Sequence, residues 1–427
     1  MTATTAESSM PYRPLQGIRV LDLTHVLSGP LCTYELGLMG AEVIKIENPG
    51  AGDMYRRLGS DDELNALGMG TSYMGPAAGK KSVALDLKDA RALEIVRELV
   101  RSADILMQNF RPGVAERLGL GYKECSTLNP RLVYCAISGF GQTGPYRDMP
   151  AVDHTVQGIS GMMAVTGARD GPPARVGYAA ADTATGLLAG MAVLGGLAGA
   201  IRTGAGCFLD VSMLEACLVA QATVYYDYLN TGHIPPRVGA DIMAKRGSGG
   251  TFETDDGYLV VSALSQEAFE HLCRTIDRAD LLDDPRFKVN AGGLKHAAEL
   301  REILAEAFRH GSAADWERKL VAGGVPAGRL NEVPQVAAHP QIAARGAFTT
   351  FTNVPGIGRD VRVLNAGFQL DGRQLRPDRP PPVLGADTRE VLQAMGYTPE
   401  DIAELAACGA IRCASDKTAL KQFNSED

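Results

Sequence analysis

The chain has 427 residues, 45% of them hydrophobic and 22% charged, with a formal net charge of −8. It is longer than a single core usually serves, so two domains or one elaborated domain are expected. The charge gives no electrostatic case for nucleic acid as a partner, and an anionic ligand must be held by local basic groups or backbone amides.

The first element, Gly17 to Leu23, reads as a half-buried strand. Ser28-Gly29-Pro30 reads as a helix cap and start, with the helix running to about Met39 and stopped by Gly40. Ala41 to Glu47 is a second strand, which completes a right-handed parallel βαβ unit. The pattern repeats with a strand at Ser82 to Leu87 and a helix at Lys88 to Ser102, its Leu93, Val96, Leu99 and Val100 at helical spacing. Strands at Asp104 to Gln108 and Arg131 to Ser138 follow. This half reads as a doubly wound α/β domain, whose ligands bind beyond the carboxyl ends of the strands.

Gly139-Phe140-Gly141-Gln142-Thr143-Gly144 matches G-x-G-x-x-G after a strand. A dinucleotide fingerprint also needs a helix opening directly from the loop, and Pro145 and Pro150 prevent one. NAD binding is therefore not expected.

Asp182 lies among small residues from Gly177 to Gly186, which leave room for a bulky partner. At the start of an apolar helix it is a preferred N-cap, and the macrodipole there favours its anion. An ionised, accessible carboxylate is also a competent nucleophile toward an activated acyl group, and one residue can fill both roles. Thr183 to Ile201 carries no charge and approaches the ~20 residues of a membrane span. Its five glycines make a buried soluble helix the better reading, with Gly186/Gly190 and Gly195/Gly199 spaced to let another backbone approach.

After Gly232 the texture changes to an irregular stretch with Pro235-Pro236 and the tetrad Gly247-Ser248-Gly249-Gly250. A strand at Tyr258 to Leu264 and three helical stretches follow, one opening on the capping signature Ser312 to Asp315. This makes a smaller α+β domain. Pro380-Pro381-Pro382 marks an extended return before helices near Glu390 to Met395 and after Pro399. The eight cysteines form no CxxC and the seven histidines no metal-like cluster, so no metal is expected, and Cys32, Cys135, Cys207 and Cys217 read as reduced core packing. Met1 to Gln16 lacks the features of a secretory signal, which leaves a cytoplasmic location as the expectation.

Together, Gly17 to Glu47, Lys80 to Lys88, Asn109 to Gly113, Arg117-Leu118-Gly119, the Gly139 to Tyr146 loop and Asp182 resemble the class III coenzyme A transferases. This family includes formyl-CoA transferase, carnitine CoA-transferase and α-methylacyl-CoA racemase. The resemblance implies an interlocked homodimer with a Rossmann-like large domain. It divides the chain into a large-domain part at 10–225, a linker at 226–244, the small domain at 245–335, a linker at 336–385, and returning C-terminal helices at 386–427. It implies Asp182 as the residue that attacks an acyl-CoA thioester, with CoA and acyl-CoA as substrates, small carboxylic acids as partners and no tightly bound cofactor. Oxyanions formed in that attack need donors, which backbone amides near Asp182 or in the tetrad could supply. By position the resemblance carries CoA contacts onto Leu27, Ser28, Leu85, Asp86, Leu87, Lys88, Asn109, Phe110, Arg111, Arg117, Val152 and Asp153, and a glycine-rich lid onto Gly247, Ser248, Gly249 and Gly250. Neither nucleic acid nor a membrane is an expected partner.

Two departures stand out. A family arginine after Glu47 is Asn48 here, so a phosphate contact is lost or passes to Arg56 or Arg57. Val152 stands where the racemase carries a catalytic His; valine moves no proton, which disfavours an acyl-CoA racemase or epimerase. A nicotinamide-dependent oxidoreductase is disfavoured by the proline-bracketed loop, and a catalytically silent CoA-binding protein stays open. Arg147, Arg169, Arg175 and Arg246 form a set able to neutralise a second carboxylate, which points toward succinyl-CoA or another dicarboxyl-CoA as donor.

Overall fold

Residues 13–240, 247–287 and 295–414 are described by the computed structural model, in two compact units. The first unit is built from residues up to Met162, Val176–Leu229 and Ala343 onward; the second from Met163–Arg175 and Asn230–Ile342.

The first unit carries strands β1 (Arg19–Leu23), β2 (Glu42–Glu47), β3 (Lys81–Leu85), β4 (Ile105–Gln108), β5 (Val133–Ser138) and β6 (Cys207–Ser212). They lie in the order β3-β2-β1-β4-β5-β6 and are all parallel, while Ile411–Arg412 adds an antiparallel edge on β3. This is the mixed α/β, largely parallel architecture the sequence suggested, and its strand order reverses between β1 and β4, the kind of switch point where such sheets bind ligands. Its principal helices are α1 (Ser28–Leu38), α2 (Ala90–Ser102), α3 (Asp153–Ile159) and α4 (Ala180–Thr203). Successive strand residues serve opposite layers. Leu21, Ile44, Leu106 and Tyr134 pack with α2 and the C-terminal Leu392, Ile402 and Ile411. Val20, Val43, Ile105, Met107 and Val133 pack with Cys32 and Leu36 of α1 and with Ala189 and Val193 of α4. Both faces are covered, which is why these strands read as nearly continuous apolar runs.

At the carboxyl ends of β1 and β2, three carboxylates and three cations are buried together. Lys80 Nζ meets Asp22 at 3.0 Å, Lys45 Nζ meets Asp53 at 3.1 Å and Arg56 Nε meets Glu47 at 2.7 Å. Lys80, 1% exposed, is therefore neither solvated nor free for a ligand. Arg56 is spent on Glu47 and the Pro382 carbonyl, so it does not replace the arginine absent at Asn48. Asn48 closes its own turn through Gly50 N and Ala51 N.

Helix α4 departs from the buried helix expected. One face lies on α1 and the sheet, but Leu187, Met191 and Ile201 are 55%, 65% and 63% exposed. Of the glycines, Gly186 makes a close approach, since a Cβ there would stand 2.6 Å from the Ser28 carbonyl oxygen. Gly195 and Gly199 face nothing within 4 Å.

The expected linker at 336–385 is also different. Residues from Ala343 on belong to the first unit and form two hairpins, Phe348–Phe351 with Val361–Leu364 and Gln369–Leu370 with Arg373–Gln374. Val354, Val361, Val363 and Leu375 share a core with Tyr34, Leu38, Tyr73 and Met74. The alternation Val361-x-Val363 buries one face of a strand, and a polar, proline-marked stretch hides so short a signal. Likewise Ala222–Thr231, at the start of the other expected linker, is helical.

The second unit holds an antiparallel sheet of β7 (Gly249–Glu253), β8 (Tyr258–Ser262) and β9 (Ala327–Arg329). Helices Gln266–Thr275, Ala297–Phe308 and Ala313–Ala322 cover it around Phe252, Phe269, Phe308 and Trp316. Ser312 caps its helix as expected, accepting from Asp315 N at 3.1 Å.

Gly186→Ala should destabilise the protein by about 1–3 kcal/mol through overpacking against α1, whereas Gly199→Ala should be neutral or stabilise by a few tenths of a kcal/mol. Urea unfolding of the two variants checks the contrast.

Candidate active site

Helix α4 begins at Ala180, with Ala179 as an N-cap that offers no side-chain bond. Asp182 is its third residue and does not cap it, contrary to expectation. The cap comes from α3, where Asp153 Oδ2 accepts from Ala181 N at 2.9 Å and Asp182 N at 3.2 Å. Asp153 Oδ1 takes a hydrogen bond from Gln157 Nε2 at 2.7 Å, and Gln157 Oε1 accepts from Val176 N at 3.0 Å. The two amides nearest Asp182, which the sequence suggested as oxyanion donors, are thus already occupied.

Asp182 is left with no backbone amide on its carboxylate among the described residues and is only 8% exposed. Burial pushes its pKa up to about 6; the Asp153 carboxylate adds to the rise and the Ser28 hydroxyl opposes it through hydrogen bonding. Burial and a like charge outweigh the helix end that was expected to favour the anion. Above pH 6 the group is nevertheless an anion. Tyr55 and Cys217 are its further neighbours. Burial raises the pKa of both, with Asp182 and Asp153 contributing.

Ser28 reaches this site from the first turn of α1, whose N-cap is Leu27, half-buried and without a side-chain bond. The preceding turn is held tightly. Val26 adopts φ +71°, unusual for a β-branched residue, and its N–H donates to Asp53 Oδ1 at 3.1 Å. The same oxygen accepts from Tyr55 N at 3.0 Å, and Lys45 Nζ donates to the Thr24 carbonyl at 2.6 Å. Asp53, Tyr55 and Gln157 were not singled out from the sequence, because nothing in their spacing distinguishes them from ordinary loop and helix polar residues.

The proposed CoA contacts divide. Asn109 brackets His25, accepting from its N–H at 3.0 Å and donating to its carbonyl at 2.8 Å. Phe110, half-buried, tilts against the His25 ring at 5.8 Å. Arg111 and Arg117 are exposed and have no carboxylate partner among the described residues. Arg117 Nη1 and Arg147 Nη2 converge over Gly113, at 3.2 and 3.8 Å from where a Cβ would stand. Lys88 is exposed, while its backbone N–H closes onto Asp86 Oδ1 at 3.0 Å. Leu87 is half-buried against the core. The Leu85 side chain is fully buried within β3 and belongs to the core. Val152 is 63% exposed, and the Asp153 carboxylate is taken up in capping α4.

In the second unit, Gly249 and Gly250 are strand residues paired with Ser262 and Val261. Ser248 is fully buried, donating to the Ala263 carbonyl at 2.6 Å, and a Cβ on Gly247 would meet the Ala297 carbonyl oxygen at 2.6 Å. The tetrad is built into a packed sheet and is not the open lid expected. The arginine set is also split, Arg147 lying in the first unit, Arg169 and Arg175 in the second, and Arg246 outside the described residues. The Gly139 to Gly144 loop opens no helix, and Gln142 N is taken by Asp210 Oδ2 at 2.9 Å, which argues against a pyrophosphate there.

The model of CoA-transferase family III matches residues 15–388. The chain is 34% identical over 403 residues to human succinyl-CoA:glutarate CoA-transferase, covering 93% of this chain and 90% of that protein. It is 38% identical over 386 residues to acetyl-CoA:oxalate CoA-transferase of Acetobacter aceti, covering 89% and 95%. Among solved structures, a CAIB/BAIF family protein from Brucella suis superposes with a TM-score of 0.80 at 31% identity, over 90% of this chain and 100% of that one.

Because the raised pKa makes ionisation oppose folding, Asp182 destabilises the protein fully above pH 6 and not at all below about pH 3.8. Asp182→Asn should therefore stabilise it by up to about 3 kcal/mol at pH 8, the gain shrinking toward zero near pH 4 in thermal unfolding scans. Asp153→Ala should cost about 1–2 kcal/mol through the lost cap.

Proposed function

The chain belongs to CoA-transferase family III and transfers coenzyme A between an acyl-CoA and a carboxylic acid; we propose that it does so through Asp182 as a covalent nucleophile. The observation that carries this mechanism is a buried carboxylate whose oxygens meet no cation and no backbone amide among the described residues. Such an oxygen retains its nucleophilicity, whereas the fully hydrogen-bonded Asp153 does not.

In the proposed cycle an Asp182 oxygen attacks the thioester carbonyl, the C–S bond breaks and CoA leaves as thiolate, giving an acyl-aspartyl anhydride. The thiolate attacks the aspartyl carbonyl, releasing the donor acid and leaving an aspartyl-CoA thioester. The acceptor carboxylate then displaces the thiolate as a new anhydride, and the thiolate takes the acceptor's carbonyl, freeing Asp182. Every activated bond is replaced by another, so neither ATP nor a tightly bound cofactor is required. No proton needs to move, which suits a site with an exposed valine at position 152.

Coenzyme A is proposed to lie beyond the ends of β1 and β4, with Phe110 beside the adenine and the exposed Arg111, Arg117 and Lys88 toward its phosphates. A dicarboxyl-CoA such as succinyl-CoA is the proposed donor, a choice supported by the name of the human relative. A homodimer in the cytoplasm is also proposed; the exposed apolar stripe Leu187, Met191, Ala198 and Ile201 along α4 is the kind of face a second copy covers. Light scattering should return twice the chain mass, and a monomer at micromolar concentration would refute the dimer.

Incubation with succinyl-CoA and hydroxylamine should convert Asp182 to a hydroxamate detectable by peptide mass spectrometry. Asp182→Ala should abolish both the adduct and CoA exchange. Exchange surviving at the original rate in that variant would end the proposal.

A further inference from the structure

Resting on Asp182 as the nucleophile, we propose that the Ser28 hydroxyl is a catalytic group, holding one Asp182 oxygen during attack and donating to that same oxygen whenever negative charge returns to it. The geometry brings the two together independently of any ligand. Gly186 lies one turn beyond Asp182 on the same face of α4, and a Cβ there would stand 2.6 Å from the Ser28 carbonyl. The face bearing Asp182 is therefore pressed onto the first residue of α1. Both residues are buried, at 4% and 8% exposure, so water does not compete freely for the pair. Leu27, not Ser28, occupies the N-cap, so the hydroxyl is not spent on α1.

The turn before Ser28 has little freedom to let it drift. Val26 is held at φ +71° by Asp53, itself paired with Lys45 and, through its own N–H, with Glu47 Oε2 at 3.1 Å. This rigidity is what a hydrogen-bond donor aimed at a reacting oxygen requires.

The role follows from the electron movements. When one Asp182 oxygen forms its new bond to the acyl carbon and the thiolate departs with the C–S pair, the other oxygen becomes the aspartyl carbonyl. When thiolate or acceptor carboxylate later adds to that carbon, the oxygen becomes an oxyanion, and the Ser28 O–H donates to it. The Ser28 proton stays on Ser28 throughout. With the nearest two backbone amides occupied by Asp153, the Ser28 hydroxyl is the side-chain hydrogen-bond partner of the carboxylate among the described residues.

Ser28→Ala is tested by single-turnover thiol release from succinyl-CoA between pH 5 and 8, with hydroxylamine labelling of Asp182 in the same samples. Removing a donor to the anion raises its pKa, so the acid limb should move up by about half to one pH unit. Thiol release above the limb should change little, since the held oxygen loses charge in that step. CoA exchange to an acceptor acid, whose later steps return charge to that oxygen, should fall about tenfold with KM for succinyl-CoA changed by less than about twofold. An unmoved limb and exchange rate with Asp182 still labelled overturns the proposal, as does a rise in KM alone, which would make Ser28 a CoA contact. Absence of label in the unmodified protein sinks the Asp182 mechanism first, and this role with it. Should Ser28→Ala not fold, Gly186→Ala should move the limb in the same direction by displacing Ser28 from α4, and an unmoved limb there is equally fatal.

Discussion

Six charged side chains buried at the carboxyl ends of two neighbouring strands constrain everything built above them. Asp22, Asp53 and Glu47 are matched by Lys80, Lys45 and Arg56, so the set is neutral and each member has a partner. Burying ions is costly, and removing one partner from such a pair typically costs about 3–5 kcal/mol because the other is left uncompensated. The lysines and Arg56 pull Asp22 and Glu47 below the usual carboxylate range despite burial, which acting alone would raise them. The cluster therefore stays ionised and keeps its geometry. It clamps the Thr24 carbonyl and the Val26 amide, and so determines where α1 begins and where Ser28 faces.

Above that platform the two aspartates have opposite lots. Asp153 accepts three hydrogen bonds from protein groups, and its carboxylate serves to start α4 and hold Gln157. Asp182, two helical positions beyond Ala180, accepts none from backbone among the described residues and is raised by burial and by Asp153 itself. One carboxylate organises the helix end so that the other can remain under-solvated there. Under-solvation raises the energy of the anion and leaves its lone pairs available, which is the condition for attack on a thioester carbonyl.

Much of this was legible from residue order. The βαβ pattern from Gly17 to Glu47, the strands through Ser138, the absence of a helix after Gly144 and the prominence of Asp182 all emerged from local spacing. The errors have a common source. Asp182 was read as the cap because sequence shows which residues favour a cap, whereas the capping carboxylate came from a helix 29 positions away. Lysine is usually at the surface, yet Lys80 is buried on a partner, Asp22, that lies 58 positions off. The tetrad at Gly247 read as a loop, yet Gly249 and Gly250 are strand residues paired with Ser262 and Val261. Residues 343–385 read as a linker because their hairpins are too short to display a period.

Residue order alone determined the α/β class and the parallel sheet and singled out Asp182 as the candidate nucleophile, since these depend on periodicity and residue type within a few turns of chain. Only the tertiary structure decided which aspartate is satisfied and which is left open, which cations are locked inside, and which hydroxyl faces the Asp182 carboxylate. Those are matters of pairing across tens to hundreds of residues. Burial then sets the charge state each pairing favours, and a linear pattern carries no information about burial partners.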